Sequence, residues 1–340
     1  MELNNLLDRA KALPKDKQRR VAAILGAVIA DAAAQPVHWV YDEDALKEAL
    51  KGHAQPEFLP QSVNPYYRLA TGRQSFYGEH LIILLRSLVA CKGVDTTHLS
   101  DASYKAMGPG SPYDHPGQNK QVYPMQGQYL HSTMRAFVTS YGAGTHSAEN
   151  GTSLESYSLC FVPALAAMYA SHPDLLKHIA SVVSLFQTNP LVLATALAEG
   201  RLIEQYIQGA EHPIENVVRE LSSPTRQCPT PADLEVAGHI EASLQSKPLS
   251  IYDATQKFGR ACYLPGAFQS ALCALLEDQG YASAVREVIK VGGNSCVLVI
   301  VVGACLGAKY GLDEIPLTWF EKTEAAKEAL ELCLALVLCD

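Results

Sequence analysis

With 340 residues, 48% of them hydrophobic and 18% charged, the chain can bury a sizeable core and has the balance of an ordinary soluble globular protein. Its 27 basic and 35 acidic residues leave a net charge of -8, which gives no general attraction for phosphate backbones or anionic lipid, so nucleic acid and membrane are not expected partners. Nine cysteines with no CxxC pair argue against a zinc centre or a disulfide framework and fit a reducing cytoplasm.

The opening MELNNLLDRAKALPKDKQRR is polar and charged, unlike an export signal, and residues 1–15 read as a loose extension. Residues 16–34 have helical periodicity, and Gly26, Ala30 and Ala34 recur every fourth position, a small-residue stripe that lets another helix approach closely. Pro36 ends this helix. Asp31 near its end is either structural or a site carboxylate. His38 beside Trp39 either packs in the interior or lines a cleft.

Further helices are predicted near 42–51, 79–91, 95–106, 128–140, 153–170, 174–187, 190–209, 212–221, 231–245, 250–258, 265–278, 281–289, 295–309 and 319–338. Asp95, Ser153 and Asn189 are expected N-caps, Pro173 and Pro190 first-turn residues, and Gly209 a stop. Two stretches, His53 to Ser75 and Met107 to Gln128, are rich in turn formers. The second carries His115, Gln118 and Asn119, either facing a ligand or simply solvated.

No alternating strand pattern survives. VLVIVV at 297–302 could be a buried strand, but the GACLGAKYG that follows is spaced as a helix. The thirteen apolar residues from Cys296 to Ala308 are too few to cross a bilayer. The fold class is therefore all-α, and without repeats or a linker the chain 1–340 reads as a single domain.

The entry to that last core helix, VGGNSC, has two readings. Exposed N–H groups at a helix start, approached through Gly292 and Gly293, can hold an anion. Alternatively the glycines make a tight turn and Asn294 or Ser295 caps the helix. Cys296 at the same start is either an inert packed residue or a thiol of lowered pKa, with His80 as its base if the two segments meet.

GGNSCVLVIVVGACLGAKYG followed by IPLTWFEK resembles the C-terminal signature of the ADP-ribosylglycohydrolase family, in which a GGDTD-type loop leads into an apolar helix and then a Pro and Trp. GAVIADAAAQPVHWVYD is similar to the family's first helix, and FYGEHLIILLRSL falls where active members open a helix with a TDDT-type loop. The resemblance runs from about residue 18 to the C-terminal helix. It implies a compact orthogonal helix bundle with a binuclear magnesium site and an ADP-ribose cleft.

The departures from that pattern remove charge. Asn294, Ser295 and Cys296 stand where the GGDTD loop has acid, threonine and acid, and Gly78, Glu79 and His80 stand where the TDDT loop has its acids. Two hard dications need several anionic oxygens, so no metal and no cofactor are expected. Magnesium would return only with a hydrolase that keeps Glu79 and Asp31, the carboxylates left as catalytic candidates beside Cys296. Gly292, Gly293, Asn294, Ser295, His38, Gln118 and Asn119 would then be a ligand-binding relic.

VHWVYD, YGEHL and MQGQYLHSTMRAF resemble one branch of the family, the J1-crystallins, soluble lens proteins of box jellyfish, and the related selenoprotein J group. That resemblance implies a structural lens role in the cytoplasm of lens cells, with self-association or other lens proteins as partners. A residual hydrolase and a non-catalytic ADP-ribose-binding protein are the alternatives.

Overall fold

The computed structural model describes residues 2–115, 122–145, 151–223, 230–247 and 249–338. Two helices, Lys15–Ala34 and Ser295–Tyr310, cross at the centre, and every residue from Val21 to Ala34 and from Ser295 to Ala308 is buried. Along these buried stretches neither helix has a polar face, because each is surrounded there by protein. The first has the length and apolarity of a membrane span, but 94% of that stretch is buried inside the fold.

The crossing depends on missing side chains. A Cβ on Gly26 would lie 2.1 Å from the Gly303 carbonyl oxygen, one on Gly303 would lie 2.4 Å from that of Gly26, and one on Gly307 would lie 2.2 Å from that of Ala22. The small-residue stripe read from the first helix thus meets a complementary one on the second. The Gly26 carbonyl, already part of the helical ladder, also accepts the buried Tyr281 hydroxyl at 2.7 Å, which gives that hydroxyl its partner away from water.

Val162–Tyr169, Pro190–Gln208, Gly266–Glu277, Tyr281–Val291 and Ala326–Leu338 pack around this pair, and one continuous core runs from Leu6 to Val337. Asp95 caps its helix by accepting the His98 N–H at 2.9 Å, and Asn189 accepts the Leu191 N–H at 2.9 Å. Pro190 opens its helix, and Gly209 closes it with φ 74°.

The structure corrects several boundaries. Where a loose N-terminal extension is expected, Leu3–Lys11 is a helix whose Leu6, Leu7 and Ala10 are buried on one face, against Ala326–Leu338. Ser153 caps no helix: its hydroxyl accepts the Glu155 N–H at 3.2 Å, and the helical segment begins at Tyr157 as a 3-10 turn. Pro173 lies ahead of its helix, Leu175–Val183, rather than in its first turn. The last predicted helix is two, Leu317–Lys322 and Ala326–Leu338, because Gly72 presses on the junction and its carbonyl accepts the Glu324 N–H at 2.9 Å. Among the described residues the only strands are Tyr67–Arg68 and Met125–Gln126, paired parallel, which join the two turn-rich stretches.

Candidate functional site

Three chain segments meet at the end of the central pair: the end of helix Lys15–Ala34 with the turn after it, the start of helix Phe76–Cys91, and the Gly292–Cys296 entry. Asp31 is the carboxylate at their centre and is fully buried. Its Oδ2 accepts the Ser75 N–H at 2.8 Å and its Oδ1 accepts the Ser75 hydroxyl at 2.6 Å. Ser75 is also the N-cap of helix Phe76–Cys91, its Oγ accepting from Tyr77 N at 3.2 Å and Gly78 N at 3.4 Å. Asp31 therefore fastens one helix to the N-terminus of another, an electrostatically favourable place for a carboxylate. Burial outweighs those bonds and pushes its pKa up to about 7.

Gly78 closes the other side of the carboxylate. A Cβ there would lie 2.1 Å from Asp31 Oδ2 and 2.4 Å from Gln74 Oε1. Glu79 is turned away from this point, where its Oε2 accepts the Tyr113 hydroxyl at 2.8 Å and the Gln128 amide at 3.1 Å. His80 is buried among Phe161 and Phe186, with Nδ1 2.9 Å from the Tyr157 hydroxyl and Nε2 2.9 Å from the Ser103 hydroxyl. Burial lowers its pKa to about 3, so it is a neutral core histidine.

Around the glycine entry the two readings of the sequence resolve into a third arrangement. Gly292 and Gly293 have φ of 62° and 65°, and Cβ atoms there would lie 2.5 Å from the Val40 carbonyl oxygen and 2.4 Å from the Arg260 carbonyl oxygen. The Gly293 N–H donates to Val40 O at 2.9 Å, and the Trp39 N–H donates to Gly293 O at 2.7 Å. Protein backbone thus occupies the approach that an anion would use.

Nor does Asn294 or Ser295 cap the helix, contrary to expectation. With ψ 43°, Asn294 is outside the extended region from which a side chain reaches back to cap, and no side-chain cap bond forms. Its amide instead donates to Ser156 Oγ at 3.0 Å and its Oδ1 faces the Tyr77 hydroxyl at 3.4 Å. The Cys296 N–H is taken by His38 Nδ1 at 3.2 Å, so the cap comes from a distant segment. That bond fixes the neutral His38 tautomer with its proton on Nε2, and burial keeps the ring neutral.

Cys296 does not meet the requirements of a nucleophile. Its thiol is fully buried beside Asp31, donating towards the Asp31 carbonyl at 3.9 Å, and burial pushes its pKa well above the usual thiol value. The expected base, His80, has both nitrogens committed elsewhere, and the histidine that does reach this residue, His38, contacts its backbone. Gln118 and Asn119 lie outside the described residues. His115 holds the Gln128 carbonyl at 2.8 Å.

The donor set does not fit a pair of magnesium ions. Its single interior carboxylate already accepts two hydrogen bonds, its neighbours are an amide, a hydroxyl and a thiol, and a glycine Cα fills the space beside Oδ2. Sequence reasoning missed Ser75, Ser156 and Tyr77, which complete this arrangement. The position of Ser75 directly before an apolar helical run was the available signal for its capping role.

A family model described as ADP-ribosylglycohydrolase matches residues 12–339. Crystallin J1A of Tripedalia cystophora is 34% identical over 316 residues, covering 93% of this chain and 95% of that protein. Crystallin J1B of the same animal is 34% identical over 322 residues, covering 94% and 97%. A solved structure described as an ADP-ribosylglycohydrolase-related protein complex superposes with a TM-score of 0.64 at 19% identity, covering 96% of this chain and 99% of that one, which speaks for the fold. Together with the Gly292–Cys296 entry and the helix pair it leads into, these matches place the chain in the ADP-ribosylglycohydrolase family.

Proposed function

We propose that the chain is a structural protein of the J1-crystallin type, an ADP-ribosylglycohydrolase fold used as a durable soluble body in the cytoplasm of lens cells. Two relatives with 34% identity along nearly their whole length carry the crystallin name. The observation that carries the loss of chemistry is the Gly78 backbone against the Asp31 carboxylate, with Ser75 holding both oxygens. A carboxylate hydrogen-bonded at both oxygens and crowded by Gly78 at Oδ2 ties helices together and has little room beside it for a pair of ions.

The experiment is a calorimetric titration of magnesium, then manganese, into metal-stripped protein, beside a hydrolysis assay with an ADP-ribosylated substrate. The expected result is no saturable heat from magnesium and no metal-dependent turnover. Metal-dependent cleavage of an ADP-ribosyl bond would overturn the proposal and return the chain to the hydrolases.

A further inference from the structure

We propose that His172, Asp174 and His178 form a surface site for a zinc-class divalent transition-metal ion, remote from the Asp31 centre and built from a different part of the chain. One ligating atom from each of the three lies within 4.8 Å of the others, the only such group among the described residues. The segment that carries them turns at Ser171, with φ 68°, and enters helix Leu175–Val183 at Asp174. His178 donates its N–H to the Asp174 carbonyl at 2.9 Å, so its side chain stands one turn along from Asp174.

Two further observations point to a ligand. With ψ 6°, Asp174 is outside the extended region from which a side chain caps a helix, so its side chain makes no cap bond and its carboxylate remains available. The His178 ring is stacked on Tyr169 at 3.9 Å and 20°, which holds the imidazole in one orientation.

The donor chemistry selects the ion. Two imidazole nitrogens and one carboxylate oxygen suit zinc, cobalt or copper, whereas magnesium and calcium prefer oxygen alone. An ion about 2.0–2.1 Å from each donor holds tetrahedral ligands roughly 3.4 Å apart, so the side chains must draw together by at most roughly 1.4 Å. Exposed His172 and Asp174 have that freedom. His172 Nδ1 accepts the Asp174 N–H at 3.1 Å, and ligation by either ring nitrogen gives up this bond, because Nδ1 can accept only while Nε2 carries the proton. The fourth position is left to water. Closing the site would clamp the Ser171–Asp174 turn to the helix that follows it.

The test uses the full-length protein with cobalt and zinc ions alone as probes. Expected are one equivalent of cobalt with visible absorption lacking thiolate charge transfer, its displacement by zinc, and at least tenfold weaker binding in His172→Ala and in His178→Ala. Asp174→Asn, which keeps the shape of the turn, should also weaken binding. Unchanged affinity in these variants, a thiolate charge-transfer band, or no binding at millimolar cobalt would each overturn the proposal. Displacement of cobalt by equimolar magnesium would do so too, since it would mean an all-oxygen site.

Discussion

Gly78 and Asp31 are in contact across two helices, and the glycine's missing side chain is what lets the carboxylate stay where it is: a Cβ at position 78 would lie 2.1 Å from Oδ2. Because Ser75 holds both carboxylate oxygens, Asp31 has little room to retreat. Gly78→Ala is expected to destabilise the protein by about 1–3 kcal/mol through overpacking. In Asp31→Ala the nearer obstacle is gone and only the flexible Gln74 side chain, with Oε1 at 2.4 Å, remains, so the double variant should be less destabilised than the sum of the singles. Denaturant unfolding of the four proteins measures this coupling. Additive effects would mean that the two residues do not constrain one another.

Asp31 also predicts a pH dependence. Its folded pKa is raised from 3.8 to about 7, so its contribution to stability is fully present below about pH 4 and is lost as the pH rises to about 7. Over that window the change is on the order of 4 kcal/mol, at about 1.4 kcal/mol per pH unit. Asp31→Asn removes the titration. The stability of the variant relative to the parent should therefore climb between pH 4 and 7 and then level off, as read by chemical unfolding at a series of pH values.

His80 acts in the opposite direction. Its pKa falls from 6.5 to about 3 on burial, so its contribution is present above pH 6.5 and is lost as the pH drops towards 3. His80→Gln should make acid unfolding less steep over that range. It should also cost about 1–3 kcal/mol at neutral pH, through the Tyr157 and Ser103 hydroxyls whose partner is disturbed. An acid-unfolding profile identical to the parent's would remove His80 as a source of acid sensitivity.

The central crossing gives a contrast between two glycines. Gly303→Ala puts a methyl 2.4 Å from the Gly26 carbonyl oxygen, and because backbone cannot swing aside as a side chain can, a loss of at least about 3 kcal/mol is expected. Gly238, exposed in helix Pro231–Leu244, has nothing within 4 Å of a Cβ, so Gly238→Ala should stabilise by roughly 0.5–1 kcal/mol. Thermal unfolding of the two variants should move in opposite directions.

The helices were legible wherever a local signal set them. Periodicity with a small-residue stripe located Lys15–Ala34, and Asn189, Pro190 and Gly209 marked both ends of Pro190–Gln208 because caps and stops act within a few residues. What could not be read depends on distant partners. Gly72 splits the last predicted helix from some 250 residues away, and the two short strands pair only after the fold brings their loops together. At the site, the resemblance directed attention to Gly78, Glu79, His80 and Asn294 to Cys296 as the positions to compare with the family's acids. It could not reveal that Glu79 turns to Tyr113 and Gln128, or that His38 rather than Asn294 receives the helix N–H, since both are settled by which side chains the packed segments bring within reach.

The Gly292–Gly293 turn has a consequence for how such chains are recognised. Both glycines are required by positive φ and by the backbone of Val40 and Arg260 pressed against them, whether or not a ligand was ever held there. A signature anchored on those glycines therefore detects architecture, whatever chemistry the neighbouring residues support. Information about turnover has to come from other positions, here Asn294, Ser295 and Cys296 after the turn and Gly78, Glu79 and His80 at the start of the facing helix, and genome-scale assignments of hydrolase activity should be conditioned on them.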